Sequence, residues 1–186
     1  MDETLADSRL VADLSLPGSH DACTAEGWQS KLFRFIAEAS AKTQELTIRE
    51  QLKVGMRVFD LRPERVFEAP LWVQDYWGKS SRDGKDDAVI RMLEAAANRD
   101  MNAESPAWVI NFPSAYFGLP LSDSYRENAV EANKVTADWL ASHSGSVGII
   151  YMDFAGMDKT PGYASLNLYD THGMTLVDCV IKQNMK

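Results

Sequence analysis

Basic residues are scarce in this chain. Nineteen Lys and Arg face 27 Asp and Glu, for a net charge of −8 over 186 residues. That balance excludes a non-specific grip on nucleic acid, which needs clustered cations to neutralise phosphates. It also leaves no polybasic patch for an anionic lipid surface. Cysteine is nearly absent: Cys23 and Cys179 have no CxxC spacing and form no metal site, and small buried thiols are expected rather than a disulfide. No apolar run reaches the roughly 18 residues that span a bilayer, and the first ten residues lack the charged and apolar regions of a secretory signal. No glycine-rich phosphate loop follows the first apolar segment, which argues against a nucleotide-binding α/β domain.

What remains is an ordinary globular composition, 45% hydrophobic and a quarter charged, at a length that suits one domain over 1–186. Five segments read as strands: 10–18 ending in a Pro-Gly turn, 56–63, 71–78, 107–114 and 147–156. Helical spacing marks 31–41, 46–55, 86–100, 125–145 and 173–185. Thr47 stands as an N-cap three residues before Glu50, and Gly55 as a C-terminal stop. Strands that are apolar on both faces and alternate with helices indicate a parallel sheet covered by helices. A (β/α) barrel and an open doubly wound sheet both satisfy that pattern, and both place ligands beyond the carboxyl ends of the strands.

Those ends are where the polar residues gather: GSHD, FDLRP, QDYW, NFPS and MDFAG. His20 and Asp21 close the first strand, Asp60 and Arg62 the second, Asp75 the third and Asp153 the last. A neutral imidazole held by a carboxylate is a general base near neutral pH, and a guanidinium donates two-pronged to a phosphate. Each residue alone reads as a turn former or an ordinary ion pair. The set, all at one end of the strands, suits phosphodiester cleavage.

LSLPGSHDACT, TQELTIREQLKVGMRVFDLRP, LWVQDYWG, WVINFPSA and GIIYMDFAG, in that order, resemble the X-type catalytic domain of bacterial phosphatidylinositol-specific phospholipase C. The resemblance touches nearly the whole chain and implies a distorted TIM-type (β/α) barrel. It implies His20 as the general base on the inositol 2-hydroxyl, with Asp153 as its partner. Arg62 corresponds to the arginine that stabilises the phosphate, where eukaryotic relatives hold calcium, so no metal and no cofactor is expected. Asp60 corresponds to the carboxylate that orients this arginine. Asp75 and Trp77 fall at inositol-binding positions. The implied substrate is an inositol phospholipid at a membrane surface, cleaved to diacylglycerol and a cyclic inositol phosphate. A monomer is expected, secreted or on the cell surface after removal of a signal peptide.

Two features depart from that pattern. The family's second histidine, the general acid whose partner would be Asp21, has no counterpart between Arg62 and Leu71; His143 reads as a surface residue at a helix end, and His172 follows the last strand. Five strands also fall short of a barrel's eight, as though roughly three βα units were absent near 63–70. A stretch missing from this sequence is favoured there over a true deletion, which would leave two unpaired sheet edges. Loss of the acid also keeps a second possibility open, a non-catalytic relative that binds inositol phosphates or glycolipid headgroups.

Overall fold

The computed structural model describes residues 10–25, 41–61, 71–73, 82–103, 107–117 and 122–186. Strands β1 (Leu16–Ser19), β2 (Val58–Phe59), β3 (Leu71–Val73), β4 (Trp108–Asn111) and β5 (Ile149–Met152) correspond to the five expected. Helices α1 (Ile48–Lys53), α2 (Arg82–Ala97), α3 (Ser124–Ser142) and α4 (Gly173–Gln183) lie between and after them. Thr47 caps α1 in a complete capping box with Glu50, and Gly55 follows with φ +106°, the left-handed turn that lets the chain enter β2. The helix expected over 31–41 falls almost wholly outside the described residues, as does the remainder of the strand expected over 71–78.

The five strands are all parallel, in the order β2-β1-β5-β4-β3. That order decides between the two architectures left open above. An open doubly wound sheet reverses direction at a switch point. Among the described residues the first strand of the sheet pairs with the last, and every chain neighbour pairs except β2 with β3, which is the circular order of a barrel with that one pairing absent. Residues 62–70, near which the missing units were expected, lie outside the described residues. The fold is a distorted (β/α) barrel, shorter than the usual form.

The sheet's outer face packs on the helices. Met56, Ile150 and Met152 meet Val89 and Leu93 of α2, Leu140 of α3, and Leu176, Val177 and Val180 of α4 in one buried cluster. The alternate residues point inward, where the ring of Tyr151 lies across Gly18. A Cβ on Gly18 would come within 2.7 Å of that ring, so glycine is required by the close approach.

Several expectations need correction. Pro17 and Gly18 lie inside β1, not in a turn after it, because proline's extended φ suits a strand and Gly18 must clear Tyr151. Residues Val11–Asp13 form a 3-10 turn rather than the start of that strand. Helix α2 begins at Arg82, ahead of the expected start, because Arg82 is fastened to the Glu127 carbonyl (2.9 Å) and carboxylate (3.1 Å) on α3. Cys23 is exposed and Cys179 half-buried, both free, because Ala22 takes the buried position of the turn that carries Cys23. A two-stranded antiparallel hairpin, β6 (Lys159–Pro161) and β7 (Leu168–Asp170), was not foreseen.

Candidate active site

Register builds the site. Ser19 is paired with Phe59 on one side and with Met152 on the other. One step further along each strand stand Asp60, His20 and Asp153, side by side. The ladder continues past the formal strand ends, with the His20 amide donating to the Met152 carbonyl (3.1 Å) and the Asp60 amide to the Ser19 carbonyl (3.0 Å). On β4, Asn111 pairs with Ile150, so three residues on, Ser114 falls level with Asp153. Four polar residues from four strands therefore form one row across the barrel mouth.

Within the row, His20 Nδ1 lies 2.9 Å from Asp153 Oδ1, with both side chains buried. A carboxylate can only accept, so Nδ1 carries the proton and donates it, leaving Nε2 with the lone pair. Ser114 Oγ is also 2.9 Å from Nδ1 and shares that proton as a second acceptor. Serine and aspartate thus sit on the same nitrogen. A nucleophilic triad needs them on opposite nitrogens, so Ser114 is not activated as a nucleophile. Nε2 faces Asp21 Oδ2 at 3.6 Å, on the side toward Asp60. The rings of Phe112 and Tyr125 flank the imidazole at 6.1 and 6.2 Å.

Burial works to lower the proton affinity of His20. The hydrogen bond and charge of Asp153, helped by the charges of Asp21 and Asp60, outweigh it and hold the imidazole above its ordinary value. Beneath the row, burial and the Asp60 charge push the Tyr151 hydroxyl up to about 12, so the floor of the mouth stays a neutral phenol stacked on Phe112 at 5.0 Å.

The residues that hold this row are mostly ones the sequence did not single out. Gln44 is fully buried; its amide nitrogen donates to the carbonyls of His20 (3.0 Å) and Met152 (2.8 Å), and its oxygen accepts from the Ala155 amide (3.0 Å). The Thr43 hydroxyl donates to the His20 carbonyl at 2.9 Å, and Asn133 of α3 donates to the carbonyls of Asp153 (3.0 Å) and Thr171 (2.8 Å). Asp21 and Phe154, the residues directly after His20 and Asp153, both have left-handed φ, +43° and +51°. Non-glycine residues there cost about 1–2 kcal/mol each, so the turn out of each strand is strained to aim the preceding side chain inward.

One ligand atom each from His20, Asp21 and Asp60 lies within 4.8 Å of the others, close enough for these residues to hold a divalent cation. A histidine whose other ring nitrogen donates to a carboxylate is also the usual metal ligand. Asp21, Asp60 and Asp153 place three carboxylates around one imidazole, and a phosphate brought among them calls for a cation of either kind. Arg62, Asp75 and Trp77 lie outside the described residues.

The other two histidines are elsewhere. His143 is exposed, its ring stacked on Trp139 at 4.2 Å, as expected of a surface helix end. His172 is the N-cap residue of α4, with its amide bonded to the Asp158 carbonyl, and no hydrogen bond joins it to His20, Asp21, Asp60 or Asp153.

No sequence-family profile and no curated protein sequence matches the chain. Solved structures do. A mutant of the phosphatidylinositol-specific phospholipase C from Staphylococcus aureus superimposes with a TM-score of 0.69 at 16% identity, covering 95% of this chain and 94% of that one. The enzyme from Listeria monocytogenes superimposes with a TM-score of 0.68 at 14% identity, over 97% and 96% of the two chains. A further S. aureus structure, described in connection with modulation of that enzyme's membrane binding, gives 0.66 at 16% over 94% and 95%. The chain is thus similar in structure to bacterial phosphatidylinositol-specific phospholipases C, a likeness that establishes the barrel fold.

Proposed function

We propose that this protein is a phosphodiesterase of the phosphatidylinositol-specific phospholipase C type. The observation that carries the reading is the buried His20–Asp153 pair at the barrel mouth, with Nε2 directed away from its partner toward the acidic cluster. In the proposed reaction Nε2 takes the proton of the inositol 2-hydroxyl as its oxygen attacks phosphorus. The bond from phosphorus to the diacylglycerol oxygen breaks, and that oxygen takes a proton from water to leave as the alcohol alongside a cyclic inositol phosphate. Asp153 stabilises the imidazolium until it gives its proton back to the solvent. Arg62, two residues after Asp60, supplies the positive charge the phosphate needs among these carboxylates, so the reaction runs without metal or cofactor. Asp75 and Trp77 hold the inositol ring. The protein acts at a membrane surface as an exported monomer.

The test is release of inositol phosphate from phosphatidylinositol vesicles by the purified protein. Activity unchanged by a chelator is expected; loss on chelation, restored by calcium, would move the countercharge from Arg62 to a cation on His20, Asp21 and Asp60. No product under either condition would overturn the reading.

One observation favours a second reading, a headgroup-binding protein without turnover: among the described residues neither His143 nor His172 is hydrogen-bonded to His20, Asp21, Asp60 or Asp153. A general acid contributes about 10²–10⁴-fold when the leaving alcohol is poor. An enzyme lacking only its acid still cleaves an inositol phosphodiester with an acidic phenol as leaving group, and a binder cleaves none in the series.

A further inference from the structure

The hairpin of β6 and β7 rises from the same end of the barrel as the site. It begins six residues after Asp153, and Tyr163 within it donates to Glu45, the neighbour of the Gln44 that clasps His20. At its base Lys159 and Asp170 form an ion pair at 3.4 Å. Between them, residues 160–169 (TPGYASLNLY) carry no charge, in a chain of which a quarter is charged. Leu166 at the tip is fully exposed, at 107% of its reference area, and Leu168 is exposed at 63%. Leu61, directly after Asp60 on the mouth rim, is exposed as well.

Single exposed leucines are common and carry little meaning alone. What distinguishes these is how firmly they are presented. The Asp123 carboxylate at the start of α3 accepts from the amides of Tyr163 (2.8 Å), Ala164 (3.1 Å) and Ser165 (3.1 Å) and from the Ser165 hydroxyl (2.8 Å). Burial would raise its pKa, yet these donors and Arg126 hold it below the ordinary value, so the clamp stays ionised. The fully buried Arg126 guanidinium lies between the rings of Phe154 (4.7 Å) and Tyr163 (4.3 Å) and donates to the Pro161 carbonyl. A rigidly held tip with nothing charged on it and two leucines in water is shaped for an apolar surface. Two side chains fall far short of the about 800 Å² per partner that a stable protein interface takes. A bilayer imposes no such minimum.

We infer that the β6–β7 hairpin is a membrane-docking element that inserts Leu166 and Leu168 into the uncharged interfacial region of a bilayer. This rests on the lipid-cleaving reading above and deepens it, since it brings the lipid face to the end of the barrel that holds His20. With no basic residue at the tip, docking is apolar and does not depend on anionic lipid or on salt.

The experiment measures partition of the full chain onto phosphatidylcholine vesicles by co-sedimentation, alongside turnover of a water-soluble inositol phosphodiester. The double substitution Leu166→Asp with Leu168→Asp should weaken partition by about ten- to a hundredfold, and leave soluble-substrate turnover unchanged. Leu166→Trp should keep partition and shift its emission to the blue on vesicles. High salt should leave partition of the unmodified protein as it was. A protein that does not sediment with the vesicles, a doubly substituted one that partitions equally well, or binding that collapses in salt would each overturn the inference. Absence of soluble-substrate turnover would instead count against the phosphodiesterase reading, while the vesicle measurement still decides the hairpin.

Discussion

The two sides of β1 and β5 differ from the two outer strands of the same sheet. β1 pairs with β5 through all four of its residues, joining positions more than 130 apart, and each of these strands has a second neighbour. β2 pairs over two residues and β3 over three, each with one partner among the described residues. The His20–Asp153 pair sits on the first seam and Asp60 on the weaker flank. A dyad that must hold 2.9 Å belongs where register is fixed from both sides, while the flank can be interrupted without moving it.

The sharpest way to break the seam's function is to remove its base. Changing His20 to Ala should lower turnover by about 10²–10⁴-fold and also lower the melting temperature, because the buried Asp153 carboxylate loses its partner; a smaller loss of turnover in the folded protein would show that another group takes the proton. Asp153→Asn should cost less, and it should move the pH profile. As a general base His20 works unprotonated, so activity falls as pH drops through its raised value. Without the Asp153 charge that value drops, and the acid limb of the rate profile should move to lower pH. An unmoved limb would mean the profile reports some other group. The same pairing stabilises the fold below the imidazole's ordinary value near 6.5, and that contribution is lost as pH rises through the folded value.

Strain on the seam itself comes next. Gly18→Val would drive a side chain into Tyr151 and should cost about 1–3 kcal/mol in urea unfolding; an unchanged midpoint would show that the ring has room to move. Ser114→Ala removes only one of two acceptors on Nδ1, so turnover should fall less than for Asp153→Asn, with the acid limb near its original place. The smallest expected effect compares the two regions directly. In native-state hydrogen exchange, the amides of Ile150 and Tyr151 should outlast those of Val58 and Phe59, and equal protection would erase the distinction between seam and flank.

The sequence allowed the five strands, their parallel direction and the polar ends to be read, because apolar runs such as VINF and GIIYM are bounded by clear stops. His20, Asp21, Asp60 and Asp153 were legible because a histidine or carboxylate at a strand end is conspicuous. Ser114 was within reach: counting three residues past Asn111 places it opposite Asp153, once the pairing of β4 with β5 is known. Thr43, Gln44 and Asn133 were not, since their amide and hydroxyl groups act on backbone carbonyls that only tertiary folding brings near. The hairpin escaped notice because its strands are three residues long and one contains Pro161, which local pattern reads as loop.

The seam also sets how this protein must come to exist. Ser15 exchanges two hydrogen bonds with Asn184, 169 positions away, and His20 meets Asp153 across 133. Closing loops of that length carries an entropic cost that must be met before the contacts return anything, so the ring of strands closes late and slowly. Until then His20 is an ordinary histidine with an ordinary proton affinity. Its proton affinity rises only when β1 meets β5, so the titration of His20 reports whether the seam is closed.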